Sequence, residues 1–263
     1  MPSILLSLLN RLRLDLFDPR ARRETFSPPM QDILSRLIDK IDAAPIDPVP
    51  DHNVFMEEIV TADVYGKILA VLPGDGSYDY LEHPDAVLPD GTRTRKLLDL
   101  TDATLQRLAP YRRAFWREMK SVLTSRALQR AITSKFRHRL DEQYGTRWPQ
   151  MVSVPLFFRD LPGYRIGIHP DARYKLATMH FYFPADASQL HLGTSFHIKD
   201  DTGFRLWKTN PFKPNSAYAF VRSDHSWHSV SRLGPHESAR NSLALTVYQK
   251  GSEYKSDYDP SEK

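Results

Sequence analysis

Cysteine is absent from the 263 residues, which removes disulfides, thiolate metal sites, iron–sulfur clusters and cysteine nucleophiles together. Any metal must be held by His, Asp or Glu. Long apolar runs are missing too: no stretch approaches the ~18 to 20 continuous apolar residues that a membrane-spanning helix needs. Charge of one sign is also scarce. The formal net charge is only +4, and no clustered basic stripe accompanies it, so a nucleic-acid partner is not expected. Apolar residues make up 41% before the 11 glycines are added. That is the ordinary share of a globular protein and excludes collagen-like and disordered classes.

The opening run, residues 1–17, lacks a basic leader, and Arg11 and Arg13 interrupt it. It therefore does not read as a signal peptide, and cytoplasmic placement is the expectation. Its leucines at 5, 8, 9, 12 and 16 fit an amphipathic helix packed on the body, with a membrane-surface anchor as the alternative. A second helix is marked by Ser27-Pro28-Pro29 followed by Met30, Ile33, Leu34, Leu37, Ile38 and Ile41 at helical spacing. A Pro-rich joint, Pro45 to Pro50, follows. From Thr61, a good N-cap, a short helix carries Val64, Ile68 and Leu72 and stops at Pro73-Gly74. A polar loop region is expected from there to about residue 100. Residues 102–145 are again helical in pattern, broken at Pro110 and stopped at Gly145.

After Trp148 the pattern becomes short alternating or β-branched runs separated by turn residues. Eight strands are predicted, at about 151–159, 163–169, 176–183, 193–198, 203–208, 217–221, 228–232 and 242–248. The fold class is thus α+β, helices first and then an eight-stranded core. We divide the chain into a helical extension with its joint (1–50), a main domain of helical support (51–148) and β-core (149–249), and a polar tail (250–263).

His-x-Asp occurs twice, at His83-Pro84-Asp85 and His169-Pro170-Asp171. The first lies in a turn-rich loop and reads as a solvated turn. The second closes an alternating strand, where residues i and i+2 project to the same side. An imidazole and a carboxylate so placed can take two adjacent positions on one divalent metal. His228 opens the seventh run and is the candidate third ligand, with His225 as its competitor. Two His and one carboxylate leave open positions that suit non-haem Fe(II). Twelve residues on, Arg240-Asn241-Ser242 opens the last strand. A guanidinium fork fits a carboxylate, and a hydroxyl two residues along points to the same side. A surface ion pair is the alternative for Arg240. Arg173 and Lys175 follow the His-x-Asp pair and read as a solvated loop, with attraction of an acidic group at the mouth as the alternative.

On these motifs the chain resembles the Fe(II)- and 2-oxoglutarate-dependent oxygenases, on the prolyl hydroxylase-like branch, over residues 150–249 and more loosely over 52–145. The resemblance implies a double-stranded β-helix, or jelly-roll, core with an N-terminal helical support. It implies that His169, Asp171 and His228 are the catalytic Fe(II) ligands, with 2-oxoglutarate as cosubstrate and O₂ as oxidant. It places the distal carboxylate of 2-oxoglutarate on Arg240 and Ser242, with Tyr182 helping and Tyr164 and Thr178 as further pocket residues. Where the family's fourth strand often begins with paired glycines, this chain has only Leu192-Gly193-Thr194. The intact Asp171 favours hydroxylation over halogenation. The implied activity is hydroxylation of an unactivated C–H, in a small molecule or a glycan or lipid precursor, with release of succinate and CO₂. A prolyl-type hydroxylase acting on protein is the alternative. Two readings of another class are a non-catalytic β-sandwich that binds a ligand and a cupin-type metalloprotein. Against the second, residues 191–197 contain no His-x-His pair with a ligand carboxylate at short spacing.

Overall fold

The computed structural model describes residues 24–252 apart from residue 82. The helix read from the leucines at 5–16 lies outside the described residues, as does the tail beyond residue 252. The predicted second helix forms as α1 (Pro28–Ala43), and its buried stripe is Met30, Ile33, Leu34, Leu37 and Ile41. Helix α2 (Ala62–Val71) starts where Thr61 accepts a hydrogen bond from the Val64 amide, so the cap read from sequence is made. The predicted helical stretch after residue 102 divides into α3 (Asp102–Gln106), α4 (Pro110–Leu123), α5 (Arg126–Lys135) and α6 (Arg137–Tyr144). Pro110 sits in the first turn of α4, and Gly145 ends α6 with φ 63°, a conformation that favours glycine.

Eleven strands are present among the described residues. The eight predicted ones appear as β4 (Met151–Asp160), β5 (Ile166–His169), β6 (Lys175–Tyr182), β7 (Thr194–Asp200), β8 (Gly203–Thr209), β9 (Ser216–Val221), β10 (His228–Val230) and β11 (Arg240–Gln249). Three more, β1 (Asn53–Glu57), β2 (Asp79–Tyr80) and β3 (Arg95–Asp99), arise within the segment read as helices and polar loop. That reading is corrected: β3 pairs with β4 and β1 with β9, both antiparallel. The larger sheet runs β1-β9-β6-β11-β4-β3-β2 and the smaller β5-β10-β7-β8.

Strand alternation divides the larger sheet into two working faces. Phe157, Met179, Phe181, Leu243, Leu245 and Val247 pack with α1 and the other helices in one core. The opposite face meets the smaller sheet, and Tyr182, Phe196, Phe212, Tyr218 and Phe220 form a second, aromatic core at one end of that interface. The other end holds the polar residues described below. None of the described helices is long and apolar enough to cross a membrane.

Candidate metal centre and its cavities

His169 ends β5 and His228 begins β10, and the two are opposite each other in the antiparallel pairing. Asp171 follows β5 by two residues and is buried. One ligand atom from each of the three lies within 4.8 Å of the others, the only cluster of this kind among the described residues. Backbone carbonyls orient both imidazoles. His169 Nδ1 donates to the Gly167 carbonyl and His228 Nδ1 to the Ser226 carbonyl, each at 2.9 Å. A carbonyl only accepts, so both protons sit on Nδ1 and both Nε2 lone pairs are free for a metal.

The electrostatics suit a cation. Burial alone would push the Asp171 carboxyl up, but the ammonium of Lys175, the imidazole of His228 and the Thr178 hydroxyl outweigh it and hold the group well below the usual range. Lys175 Nζ is 3.0 Å from Asp171 Oδ1, and Thr178 Oγ1 donates to Oδ2 at 2.7 Å. Burial, with the facing imidazole of His169, pushes His228 down to about 4. A neutral imidazole and an ionised carboxylate are the forms that ligate.

Comparison with known proteins adds the fold. No protein-family model matches the chain, and no curated protein matches it in sequence. Among solved structures, a prolyl-4-hydroxylase from Pseudomonas putida aligns with a TM-score of 0.50 at 14% identity, over 83% of this chain and 100% of that one. A prolyl hydroxylase from Trichoplax adhaerens, solved with a hypoxia inducible factor peptide, aligns at 0.47 and 11% over 87% and 96%. An oxidoreductase of the 2OG-Fe(II) oxygenase family from Burkholderia pseudomallei aligns at 0.42 and 12% over 84% and 90%. The fold is that of the 2-oxoglutarate- and Fe(II)-dependent oxygenases.

Within this double-stranded β-helix two adjoining cavities meet at the His169–Asp171 corner. The inner one, about 110 Å³, runs from the three candidate ligands past Thr178, His180 and Tyr218 to Thr194 and Arg240. The outer one, about 470 Å³, is walled by Leu81, Leu97, Leu156, Phe158, Ile166 and Ile168. Arg95, Tyr164 and Lys175 line both.

The residues singled out from sequence divide between these walls. Tyr164 and Thr178 line the inner cavity, as does Arg240. Arg240 is not at the surface: Nη1 donates to Asp160 at 2.8 Å, Nε to the Leu192 carbonyl at 2.7 Å, and Nη2 to Thr194 at 3.4 Å. Tyr182 and Ser242 are fully buried but are not among the residues lining the cavity. The Tyr182 hydroxyl donates to Thr194 Oγ1 and accepts from the Thr194 amide. Ser242 Oγ is buried without a hydrogen-bond partner. His225 is exposed and lies in a separate surface depression, so His228 is the member that joins the cluster. His83 and Asp85 stay in a turn, where His83 Nδ1 accepts from the Asp85 amide, yet both reach the wall of the outer cavity.

Sequence reasoning read Lys175 as part of a solvated loop, with an acidic-group role as the alternative, and missed His180, Arg95 and Asp160. Lys175 is buried, not on a solvated loop. A bulge causes this: Val247 faces Ala177 but Tyr248 faces Lys175, so β6 has one extra residue there. That residue reverses the alternation and turns Lys175 toward the cavity. His180 lines the cavity stacked on Tyr218, and its Nδ1 is buried without a partner. Its place on the inner face follows from its spacing to Thr178 and was legible. Arg95 belongs to β3, which the sequence did not reveal, so it carried no signal.

Proposed function

We propose that the protein is a non-haem Fe(II)- and 2-oxoglutarate-dependent dioxygenase that hydroxylates an unactivated C–H of a small molecule. The observation that carries this reading is the cluster of His169, Asp171 and His228, with both Nε2 atoms freed by carbonyl anchors. Its donor set fits a first-row divalent metal and leaves neighbouring positions open. Bound Fe(II) would supply, with 2-oxoglutarate and O₂, oxidation of the C–H with release of succinate and CO₂.

The chain's own residues bind and position. His169, Asp171 and His228 hold the metal, while Lys175 and Thr178 keep Asp171 ionised and fixed in orientation. Arg240 faces the far end of the inner cavity, where the distal carboxylate of 2-oxoglutarate fits a fixed guanidinium. The buried Asp160 holds that guanidinium rigid. Leu81, Leu97, Leu156, Phe158, Ile166 and Ile168 of the outer cavity offer apolar contacts to a substrate beside the metal site. The cavity volume of about 470 Å³ lies in the range of small-molecule sites, which favours such a substrate over a protein segment.

The test is calorimetric titration of the anaerobic, Fe(II)-loaded protein with 2-oxoglutarate, followed by a search for succinate in air. Saturable binding with slow succinate formation is expected. Absence of 2-oxoglutarate binding by iron-loaded protein would overturn the reading.

A further inference from the structure

The hydrogen bonds around Thr194 run in one direction. Tyr182, which does not line the inner cavity, donates its hydroxyl proton to Thr194 Oγ1 at 2.9 Å and accepts from the Thr194 amide at 3.0 Å. Thr194 Oγ1 also accepts from Arg240 Nη2 at 3.4 Å. A hydroxyl has two acceptor lone pairs and one proton. Both lone pairs of Thr194 are thus taken, and its proton goes to the Tyr218 hydroxyl, 2.8 Å away. The chain therefore runs from Tyr182 through Thr194 to Tyr218. At its end the Tyr218 hydroxyl accepts, and its own proton finds no acceptor among the described residues. Accepting one hydrogen bond strengthens a hydroxyl as a donor to the next.

Tyr218 lines the inner cavity together with Thr194 and Arg240, and its side chain is buried. The ring is fixed by His180, whose plane is 2° from parallel with centroids 5.1 Å apart, and by Phe196, edge-on at 6.0 Å. The Tyr218 hydroxyl and Arg240 Nη2 lie against the same Thr194 oxygen, so one carboxylate can meet both. Arg240 alone does not satisfy such a carboxylate. Of the five N–H donors of a guanidinium, three are spent on Leu192, Asp160 and Thr194. A carboxylate has about four acceptor sites, which leaves room for a further donor. Burial pushes the Tyr218 hydroxyl well above its usual range, against the pull of Arg240. The group therefore keeps its proton and is a donor, not a phenolate.

We propose that the Tyr218 hydroxyl donates to the distal carboxylate of 2-oxoglutarate beside Arg240, and that Tyr182 acts only through Thr194, as a positioning residue. This rests on the dioxygenase reading and adds a binding residue to it. Anaerobic, Fe(II)-loaded protein is titrated with 2-oxoglutarate while the visible charge-transfer band is followed. Tyr218→Phe should weaken binding about tenfold or more, the loss expected for a hydrogen bond to a charged group, with band position and iron stoichiometry unchanged. Tyr182→Phe should weaken it less, because Thr194 keeps its own proton for Tyr218. The probe 2-oxopentanoate, which lacks the distal carboxylate, should bind wild type and Tyr218→Phe equally. Thermal melting shows whether each variant is folded. If Tyr218→Phe is not, the wild type carries the test: saturation with 2-oxoglutarate, but not addition of 2-oxopentanoate, should red-shift a tyrosine band in the near ultraviolet, as a phenol does on donating to an anion. Unchanged 2-oxoglutarate affinity in folded Tyr218→Phe, a larger loss in Tyr182→Phe, an equal loss for 2-oxopentanoate, or absence of the red shift would overturn the proposal. So would a displaced visible band in Tyr218→Phe, which would put the contact at the chelating end. Failure of the dioxygenase reading is seen separately, as wild-type protein that binds no 2-oxoglutarate.

Discussion

Two carbonyls decide what His169 and His228 can do, because each fixes the proton on Nδ1 and leaves Nε2 as a ligand. The two His-x-Asp tripeptides differ in the same respect. His83 uses Nδ1 to accept from its own turn, so His83→Ala should leave bound iron unchanged while His169→Ala loses it, as read by metal content after dialysis. Arg240, buried against Asp160, is the proposed anchor of the distal carboxylate. Arg240→Leu should weaken 2-oxoglutarate binding by about 2 to 5 kcal/mol, roughly thirty-fold or more, because a carboxylate loses its buried charged partner. Iron stoichiometry should hold, since no ligand is touched. Arg240→Lys should recover part of the affinity but not the fork geometry. Unchanged affinity in folded Arg240→Leu would move the distal carboxylate to another cation.

Strands β4 to β11 were legible because each is a short alternating or β-branched run between turn residues. Strands β1 to β3 were not. Residues 95–99 read Arg-Lys-Leu-Leu-Asp, which looks like loop until Lys96 is seen paired with Asp75 and Arg95 with Asp160. Their partner strand β4 lies more than fifty residues on, a distance that local pattern does not span. The single glycine before β7 shows the opposite case, a local residue with a long-range reason. A Cβ on Gly193 would stand 1.5 Å from the Asn210 carbonyl oxygen, closer than any real contact. Gly193→Ala must therefore push β7 from the segment after β8. Its cost should reach or exceed the upper end of the about 1–3 kcal/mol typical of overpacking. Urea unfolding measures this, and a loss under about 1 kcal/mol would show that the segment yields freely.

Across the whole molecule, the larger sheet is a wall with an apolar core behind it and a charged, metal-ready cavity in front. Burial of neutral histidines in front makes stability depend on pH. His228 sits at about 4 when folded against 6.5 in the open chain, and burial, with Arg240 and Arg95 nearby, lowers His180 well below that value too. Between those values the unfolded chain binds more protons, so stability is complete above pH 6.5 and falls as pH drops toward 4. From His228 alone the metal-free protein should lose about 2 kcal/mol between pH 7.5 and 5. Urea midpoints at the two pH values test this, and equal midpoints would contradict it. The depressed Asp171 carboxyl acts in the same direction below its open-chain value of 3.8. The central claim, that His169, Asp171 and His228 hold an iron to which 2-oxoglutarate chelates, has a direct spectroscopic test. Anaerobic protein is titrated with Fe(II) and then 2-oxoglutarate while the visible spectrum is recorded. A weak charge-transfer band that saturates at one equivalent of 2-oxoglutarate, and that Asp171→Ala and His228→Ala abolish, is the predicted result. Iron-loaded protein that develops no band, or a band that survives loss of Asp171 and of His228, would contradict it.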